Sequence, residues 1–253
     1  MYDIGIIGGM GPQSTATLFE RIIKHTEAEQ DQSHPDIIIL NQTKTPDRTE
    51  FIIGNSKVSP LKDLEKCIDI LNHVGVKQVI MPCNTAHYFY DELQNMSSAP
   101  ILNMVNLTLE YVASCSSLSK TVCILATQGT IKAKIYEKMN HINLEIVYPD
   151  DSVCDDVHKI INGVKNTNNA DEIILSNQLT RVMDRVRCQN RDVTFVLACT
   201  ELSVLDKNIM NPYEVVDAMD VLALSSIYMA GYKWRLDGMN YDEEILKKIL
   251  EKR

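Results

Sequence analysis

The sequence lacks long hydrophobic runs, and it lacks an excess of positive charge. Its 253 residues include no stretch approaching the roughly 20 consecutive apolar residues that a membrane-spanning helix requires. The N-terminal segment MYDIGIIGGM has neither the basic residues nor the small-residue cleavage site of a secretory signal. A net charge of -9 argues against nucleic acid and anionic membranes as partners. We therefore expect a cytoplasmic protein with no nucleic-acid or membrane partner.

Closely spaced pairs of metal-ligating residues are missing as well. The chain has no CxxC pair, and its six histidines are scattered without ligand spacing. An odd number of cysteines, spread through apolar segments, favours free thiols over a disulfide framework. We therefore expect no metal site and no disulfide. The seven cysteines are Cys67, Cys83, Cys115, Cys123, Cys154, Cys188 and Cys199.

Apolar segments alternate between strand and helix patterns along the chain. Helical spacing predicts helices over 61–75 and 170–189. Alternation of strand and helix favours a parallel α/β sheet, in which ligands bind where the carboxyl ends of the strands meet. Short apolar runs predict the strands DIGIIG (3–8), DIIIL (36–40), QVIM (78–81), PIL (100–102), TVCILA (121–126), LEIVY (144–148), VTFVLA (193–198) and EVVDA (214–218).

A glycine-rich segment, GMGPQS (9–14), follows the first predicted strand. Dinucleotide-binding loops of this kind carry a third glycine, and an acidic residue about 20 positions later binds the ribose. Here Ser14 replaces the third glycine, and the second predicted strand is followed by Asn41. We therefore expect no dinucleotide cofactor. The glycines more simply allow the backbone to approach a small ligand or the first helix.

The two halves of the chain resemble each other. GIIGGMGP (5–12) aligns with CILATQGT (123–130), and Cys83 aligns with Cys199, at nearly the same offset of about 116 residues. Apolar runs align easily by chance, but a shared order and spacing indicate an internal duplication. If the two halves face each other about a pseudo-twofold axis, the two cysteines lie on opposite walls of one cleft.

A third aligned pair, Asn103 and Asp217, extends the repeat at a similar offset. The sequence thus predicts an α/β fold of two similar tandem lobes, each a mainly parallel sheet flanked by helices, related by a pseudo-twofold axis. The predicted boundaries are 1–104 for the first lobe, which is completed by 212–253, and 105–211 for the second.

Cys83 and Cys199 have similar surroundings, VIMPCNTAH (79–87) and FVLACTEL (195–202). Two thiols on opposite walls of a cleft can reach both faces of a substrate carbon, one as a base and the other as an acid. The ordinary pKa of cysteine, about 8.5, is close enough to neutral pH for both roles. The pair therefore favours an enzyme that inverts a stereocentre by proton transfer.

Other interpretations fit parts of this pattern. A buried cysteine is more often a small core residue, which suits the other five cysteines of the chain. Cys83 with His87 would suit a cysteine hydrolase, although this leaves Cys199 and the repeat unexplained. A catalytically silent protein that binds an acidic metabolite is a further alternative, but the retention of both thiols argues against it.

Five motifs together resemble the cofactor-independent aspartate/glutamate racemase family, and in particular its aspartate racemases. The resemblance spans about residues 1–230 and implies an active site between two lobes, no pyridoxal phosphate and a homodimer. It implies two-base interconversion of L- and D-aspartate, with glutamate or a broader range of amino acids as the alternative. The motifs are IGIIGGMGPQSTATLFERI (4–22), TPDRT (45–49), PCNTAH (82–87), LATQGT (125–130) and LACTEL (197–202).

The same resemblance assigns roles to individual residues. Cys199 would remove the α-proton of the L-isomer, and Cys83 that of the D-isomer. Arg48 would bind the side-chain carboxylate of the substrate, with Lys165 as a second cation. The other expected substrate-binding residues are Met10, Asn84, Thr85, Thr127, Thr130 and Thr200. The supporting residues are Gln13, Thr15, His87 and Glu201, of which Glu201 completes a CTE motif that favours aspartate, since glutamate racemases of cell-wall synthesis carry CTH.

Overall fold

The computed structural model describes residues 1–166, 172–189 and 192–253 of the chain. Within these residues, seven strands form two sheets, and every pair of neighbouring strands is parallel. The first sheet has the order β2-β1-β3 and consists of β1 (Tyr2–Gly8), β2 (Ile37–Asn41) and β3 (Val76–Ile80). The second has the order β5-β4-β6-β7 and consists of β4 (Thr121–Leu125), β5 (Glu145–Val147), β6 (Thr194–Leu197) and β7 (Val215–Asp217).

Helices flank both sheets. In the part of the chain that the structure describes, every helix is too short or too polar to cross a membrane. The α-helices are α1 (Pro12–His25), α2 (Arg48–Ile53), α3 (Leu61–Val74), α4 (Tyr90–Met96), α5 (Met104–Ser114), α6 (Gln128–Lys132), α7 (Ile135–Lys138), α8 (Asp151–Asn166), α9 (Glu172–Gln189), α10 (Ala218–Met229) and α11 (Glu243–Leu250). Short 3₁₀ helices lie at Asp31–Ser33, Thr85–Phe89, Leu202–Val204 and Lys207–Met210.

Most predicted elements are confirmed. The helix expected over 61–75 is α3, which ends where Gly75 adopts φ 77°, a conformation that glycine takes without strain. The helix expected over 170–189 is α9, and its first two predicted residues lie outside the described residues. Seven of the eight predicted strands occur at or near their expected positions.

The predicted strand 100–102 is wrong. This segment makes only an isolated parallel bridge between Ile101 and Val79. Two hydrogen bonds form there: the Val79 N–H donates to Pro100 O at 2.9 Å, and the Leu102 N–H donates to Val79 O at 2.9 Å. A longer ladder is prevented on one side by Pro100, which has no N–H, and on the other by Asn103, where a helix begins.

The two sheets repeat one arrangement. In each sheet, the strand that comes first in the chain has the second strand on one side and the third strand on the other. The bridge at Ile101 holds in the first sheet the position that β7 holds in the second. This shared order confirms an α/β fold of two similar lobes. The sequence assigned residues 212–253 to the first lobe, and this is wrong for β7, because β7 pairs with β6 of the second sheet. The remaining boundaries stay predictions.

The third aligned pair of the sequence caps two equivalent helices. The Asn103 side chain accepts hydrogen bonds from the N–H groups of Val105 at 3.1 Å and Asn106 at 3.0 Å, at the start of α5. The Asp217 carboxylate accepts from the Met219 N–H at 2.9 Å, at the start of α10. These caps satisfy backbone donors that a helix start leaves free. α5 and α10 pack against each other in an apolar core that includes residues of both sheets.

Asp217 is also the centre of a buried group of charges. Arg21 Nη1 lies 2.9 Å from Asp217 Oδ2 and 2.7 Å from Asp220 Oδ1, and Lys207 Nζ lies 2.6 Å from Asp217 Oδ2. The Ser203 hydroxyl donates to Asp217 Oδ1 at 2.6 Å. Burial alone would raise the pKa of Asp217, but the charges of Lys207 and Arg21 hold this pKa well below its ordinary value.

We predict that Asp217→Asn lowers the free energy of unfolding by about 3 kcal/mol, because it leaves buried cations short of a carboxylate. Urea denaturation at neutral pH measures this change. The control is Asp237→Asn, since Asp237 is 80% exposed and 3.8 Å from Arg235; its change should stay within about 0.5 kcal/mol. Equal effects of the two substitutions would contradict the account.

The stability that Asp217→Asn removes should also depend on pH. A carboxylate whose pKa is lower in the folded than in the unfolded chain stabilises the fold fully above the unfolded pKa, and this contribution disappears as pH falls through the folded pKa. For Asp217 the ordinary value is 3.8. The difference between wild type and Asp217→Asn should therefore be constant near neutral pH and narrow as the pH falls below about 4. A difference that does not change in acid would refute this assignment.

Candidate active site

A narrow cavity lies between the loops that follow the strands of the two sheets. Both lobes contribute to its walls, as expected for parallel sheets whose carboxyl ends meet. Ten of the predicted site residues line it, together with two that the sequence analysis did not name. The lining residues are Met10, Asp47, Arg48, Thr49, Cys83, Asn84, Thr85, Thr127, Lys165, Cys199, Thr200 and Glu201.

The two unpredicted lining residues are Asp47 and Thr49, on either side of Arg48. Asp47 had a local signal, because an aspartate three residues before a glutamate is typical of a helix start, and its side chain accepts from the Glu50 N–H at 2.9 Å. Thr49 had none. It lies where α6 packs on α2, so closely that a Cβ at Gly129 would lie 2.9 Å from Thr49 Cα.

Cys83 and Cys199 occupy equivalent positions in the two lobes. Cys83 comes shortly after β3 and Cys199 shortly after β6, and both are buried free thiols. Each opens a tight turn: the Ala86 N–H donates to Cys83 O at 3.2 Å, and the Leu202 N–H donates to Cys199 O at 2.9 Å. Both cysteines line the same cavity. The turns continue into short 3₁₀ helices.

Glu201 is the hydrogen-bond partner of the Cys199 thiol. The thiol donates to Glu201 Oε2 at 2.9 Å in a buried setting. Burial raises the pKa of Cys199, the charge of Glu201 raises it further, and the opposing effect of Lys165 leaves it well above its ordinary value. Cys199 is therefore a neutral thiol with a proton acceptor beside it. The other carboxylate oxygen, Oε1, has no hydrogen-bond partner among the described residues.

Lys165, near the end of α8, brings a positive charge to the cavity. Removal from water disfavours the ammonium form, but the charges of Glu201 and Asp47 raise the pKa of Lys165 above its ordinary value. Lys165 therefore carries its charge at neutral pH. The structure places Lys165 among the residues that line the cavity.

Arg48 joins two of the loops that form the first wall. Its Nη1 donates to Thr45 O at 3.3 Å and Pro46 O at 3.0 Å, and its Nη2 donates to Met10 O at 3.3 Å. The buried Nε has no hydrogen-bond partner among the described residues. The guanidinium is thus held in place by backbone carbonyls, with its charge beside the cavity and its buried Nε–H group unused.

Hydroxyl groups connect the two walls directly. Thr85 Oγ1 lies 3.0 Å from both Thr127 Oγ1 and Thr130 Oγ1, and the last two are 3.1 Å apart. Thr130 is absent from the cavity lining and supports the two threonines that form it. On the other side, the Thr200 hydroxyl donates to Pro82 O at 3.1 Å. These contacts fix the spacing of the walls at the site.

Thr15 and His87, expected as supporting residues, bind the backbone. Thr15 Oγ1 accepts from the Gly9 N–H at 2.9 Å and donates to Gly11 O at 2.9 Å. His87 Nδ1 lies 2.9 Å from Cys83 O, and its Nε2 accepts from the Met104 N–H at 3.2 Å. Burial lowers the pKa of His87 to about 4, so the ring is neutral. Both ring nitrogens are engaged, which leaves His87 no role as a base for a Cys83 hydrolase.

A wider cleft of about 870 Å³ adjoins the cavity and shares several residues with it. Gln13, another expected supporting residue, lies in this cleft and not in the cavity. One part of the cleft is apolar. The apolar side chains there are Val164, Leu175, Val204 and Leu205.

The glycine loop after β1 serves a close backbone contact. Gly9 has φ 89°, and a Cβ there would lie 2.5 Å from the carbonyl carbon of Gln42, so only glycine fits between the two loops.

Among residues 1–166, 172–189 and 192–253, no three His, Cys, Asp or Glu side chains converge as a metal site would require.

Comparison with known proteins places this chain in a family. The Asp/Glu/hydantoin racemase family profile matches residues 7–225. The chain belongs to the Asp/Glu/hydantoin racemase family. The racemase is similar to the broad specificity amino-acid racemase RacX of Bacillus subtilis (strain 168), with 27% identity over 228 residues that cover 88% of this chain and 96% of RacX.

Comparison with solved structures identifies the same family. An aspartate racemase from Picrophilus torridus superimposes with a TM-score of 0.80 and 31% identity, covering 93% of this chain and 97% of the other. The glutamate racemase RacE1 of Bacillus anthracis has a TM-score of 0.62 at 18% identity over 91% of this chain and 82% of its own, and shares the fold. The family resemblance seen in the sequence is confirmed, and the relatives differ in the substrates that their names state.

We predict that Glu201→Gln in this racemase lowers the pKa of Cys199, because it removes the negative charge beside the thiol. The pH dependence of Cys199 alkylation, followed by peptide mass spectrometry, should shift to lower pH. Glu172→Gln is the control, since Glu172 lies in the wider cleft outside the cavity. An unchanged alkylation profile in Glu201→Gln would contradict the electrostatic role of this carboxylate.

Proposed function

We propose that this racemase interconverts L- and D-aspartate by a two-base proton transfer at Cα. The observation that carries the proposal is the equivalent position of Cys83 and Cys199, one at each wall of a single cavity. Two thiols arranged in this way can act on the two faces of one carbon, which a single base does not do easily. The match to an aspartate racemase at 31% identity supports aspartate as the substrate.

In the proposed reaction, Cys199 first transfers its proton to Glu201, its hydrogen-bond acceptor at 2.9 Å. The resulting thiolate, stabilised by the nearby charge of Lys165, takes the α-proton of L-aspartate. The electron pair left on Cα delocalises into the α-carboxylate. The Cys83 thiol then donates its proton to the opposite face, which yields D-aspartate and a Cys83 thiolate. The reverse reaction uses the same groups in the opposite order.

The charges of the cavity suit an acidic amino acid. Arg48 and Lys165 are the cations for the side-chain carboxylate, and Asp47 supplies negative charge for the α-ammonium group. The α-carboxylate is assigned to donors beside Cys83, among them the Asn84 amide, whose Nδ2 has no hydrogen-bond partner among the described residues. In this arrangement each charged group of aspartate has a partner of opposite charge or a donor.

A broader substrate range is the second candidate, and one observation favours it. The wider cleft next to the cavity has an apolar part, formed in part by Leu175, Val204 and Leu205, that would accept a larger side chain. RacX, named a broad specificity amino-acid racemase, matches 88% of this chain. Glutamate differs from aspartate by one methylene, for which such a site discriminates by only about 1–3 kcal/mol.

The proposal includes three further features that rest on the family resemblance and on the charge of the chain. The racemase acts without a cofactor, as a homodimer, and in the cytoplasm. Nucleic acids and membranes are not among its partners, in line with the net charge of -9.

We predict that reduced protein converts L-aspartate to a racemic mixture without added cofactor, as measured by loss of optical activity. Cys83→Ser and Cys199→Ser should each abolish interconversion, because one face of Cα then lacks its acid or base. In D₂O, Cys83→Ser should still exchange the α-hydrogen of L-aspartate, and Cys199→Ser that of D-aspartate.

Cys67→Ser is the matched control, because Cys67 is a buried core cysteine that does not line the cavity. It should keep wild-type activity. Interconversion by either active-site variant would refute the two-base assignment, and a wild-type protein that leaves acidic amino acids unchanged would refute the racemase proposal.

We predict that Arg48→Gln lowers kcat/KM for aspartate about tenfold or more and leaves a neutral amino acid such as alanine less affected, because a charge-assisted hydrogen bond is lost. The measurement is kcat/KM for aspartate, glutamate, alanine and leucine. Lys132→Gln, a change of a lysine outside the cavity, is the control. If wild type uses leucine as well as aspartate, the broader substrate range replaces the narrower one.

A further inference from the structure

Tyr136 is a buried residue that reaches the site through another side chain. It lies in α7, its side chain is 0% exposed, and its hydroxyl donates to Asn84 Oδ1 at 2.7 Å. Asn84 follows Cys83 in the first lobe, whereas α7 follows the strand β4 of the second. The hydrogen bond therefore crosses from one wall of the cavity to the other, next to one of the two thiols.

This hydrogen bond decides which way the Asn84 amide points. The Asn84 oxygen is the acceptor of the Tyr136 hydroxyl among the described hydrogen bonds. Turning the amide over would place its NH₂ group against the hydroxyl and leave the buried O–H without an acceptor, at a cost of about 1–3 kcal/mol. Burial also raises the pKa of Tyr136 well above its ordinary value, so the hydroxyl keeps its proton and stays a donor.

The fixed amide leaves one donor unused. Asn84 is 2% exposed and lines the cavity, and its Nδ2 has no hydrogen-bond partner among the described residues. A buried amide group without a partner is unfavourable, and such groups commonly belong to a ligand site. Because Asn84 adjoins Cys83, a carboxylate bound to Nδ2 would lie beside that thiol.

We propose that Tyr136 is a positioning residue, which orients the Asn84 amide so that Nδ2 donates to a carboxylate of the substrate. This inference rests on the proposed function and adds to it a residue that touches neither the substrate nor the thiols. During racemisation the electron pair of Cα moves into the α-carboxylate. A donor already aimed at that group stabilises the charge as it develops, without reorganisation of the site.

A double-mutant cycle tests the link between the two residues. Tyr136→Phe and Asn84→Ala should each lower kcat/KM for aspartate about tenfold or more, and the double variant should lose no more than the larger single loss, because both changes remove one donor. Tyr148→Phe is the control, since its hydroxyl donates to Glu137 outside the cavity, and it should keep wild-type kcat/KM. Losses that multiply in the double variant would overturn the proposal.

Binding of succinate gives a readout that does not depend on racemisation. Succinate carries two carboxylates but no α-hydrogen next to an ammonium group, and calorimetry measures its Kd. Tyr136→Phe should weaken it about tenfold, and Tyr148→Phe should not. Asn84→Asp keeps an acceptor for Tyr136 and replaces Nδ2 by a negative oxygen, so it should weaken binding at least as much even if Tyr136→Phe fails to fold.

The two assays separate the possible failures. Succinate affinity that is unchanged in Asn84→Asp or in folded Tyr136→Phe, or that is absent in wild type, would overturn the role of Tyr136. If succinate binding depends on both residues but aspartate is not racemised, the proposed function fails and the positioning role stands.

Discussion

The apolar contact between α5 and α10 is the constraint on which the rest of the structure depends. The core around these helices contains fully buried residues of both sheets, such as Ile6 and Ile124, and it holds the two lobes together. Each helix begins at a polar cap, Asn103 or Asp217, at the end of the last paired segment of its own sheet. Packing the helices together therefore brings the strand ends of the two lobes to face one cavity.

This arrangement is symmetric in its backbone and asymmetric in its chemistry. Cys83 and Cys199 occupy equivalent turns, but their neighbours differ. On the first side, His87 is neutral and fully engaged with backbone groups. On the second side, Glu201 accepts a hydrogen bond from the thiol and raises its pKa. The fold thus places two like groups on opposite walls, and the residues next to them give the two thiols different electrostatic surroundings.

Much of the fold and the site could be predicted from the sequence, because the signals were local or repeated. Apolar runs gave the strands, and the repeat gave the equivalence of the two cysteines. The segment 100–102 was predicted wrongly because pairing depends on a neighbouring strand that a pattern does not include. Tyr136 illustrates the other limit: its hydrogen-bond partner, Asn84, lies in the other lobe, so the sequence offers no sign of which polar group Tyr136 binds.

The central claim, that two bases act on opposite faces of Cα, is tested most directly by the position of solvent deuterium after a short reaction. Wild-type racemase is mixed with L-aspartate in D₂O, the reaction is stopped at low conversion, and the separated enantiomers are analysed by mass spectrometry. The account predicts deuterium at Cα of the D-aspartate product, while the recovered L-aspartate keeps its hydrogen. Equal deuterium in the product and in the recovered substrate would indicate a single base and contradict the account.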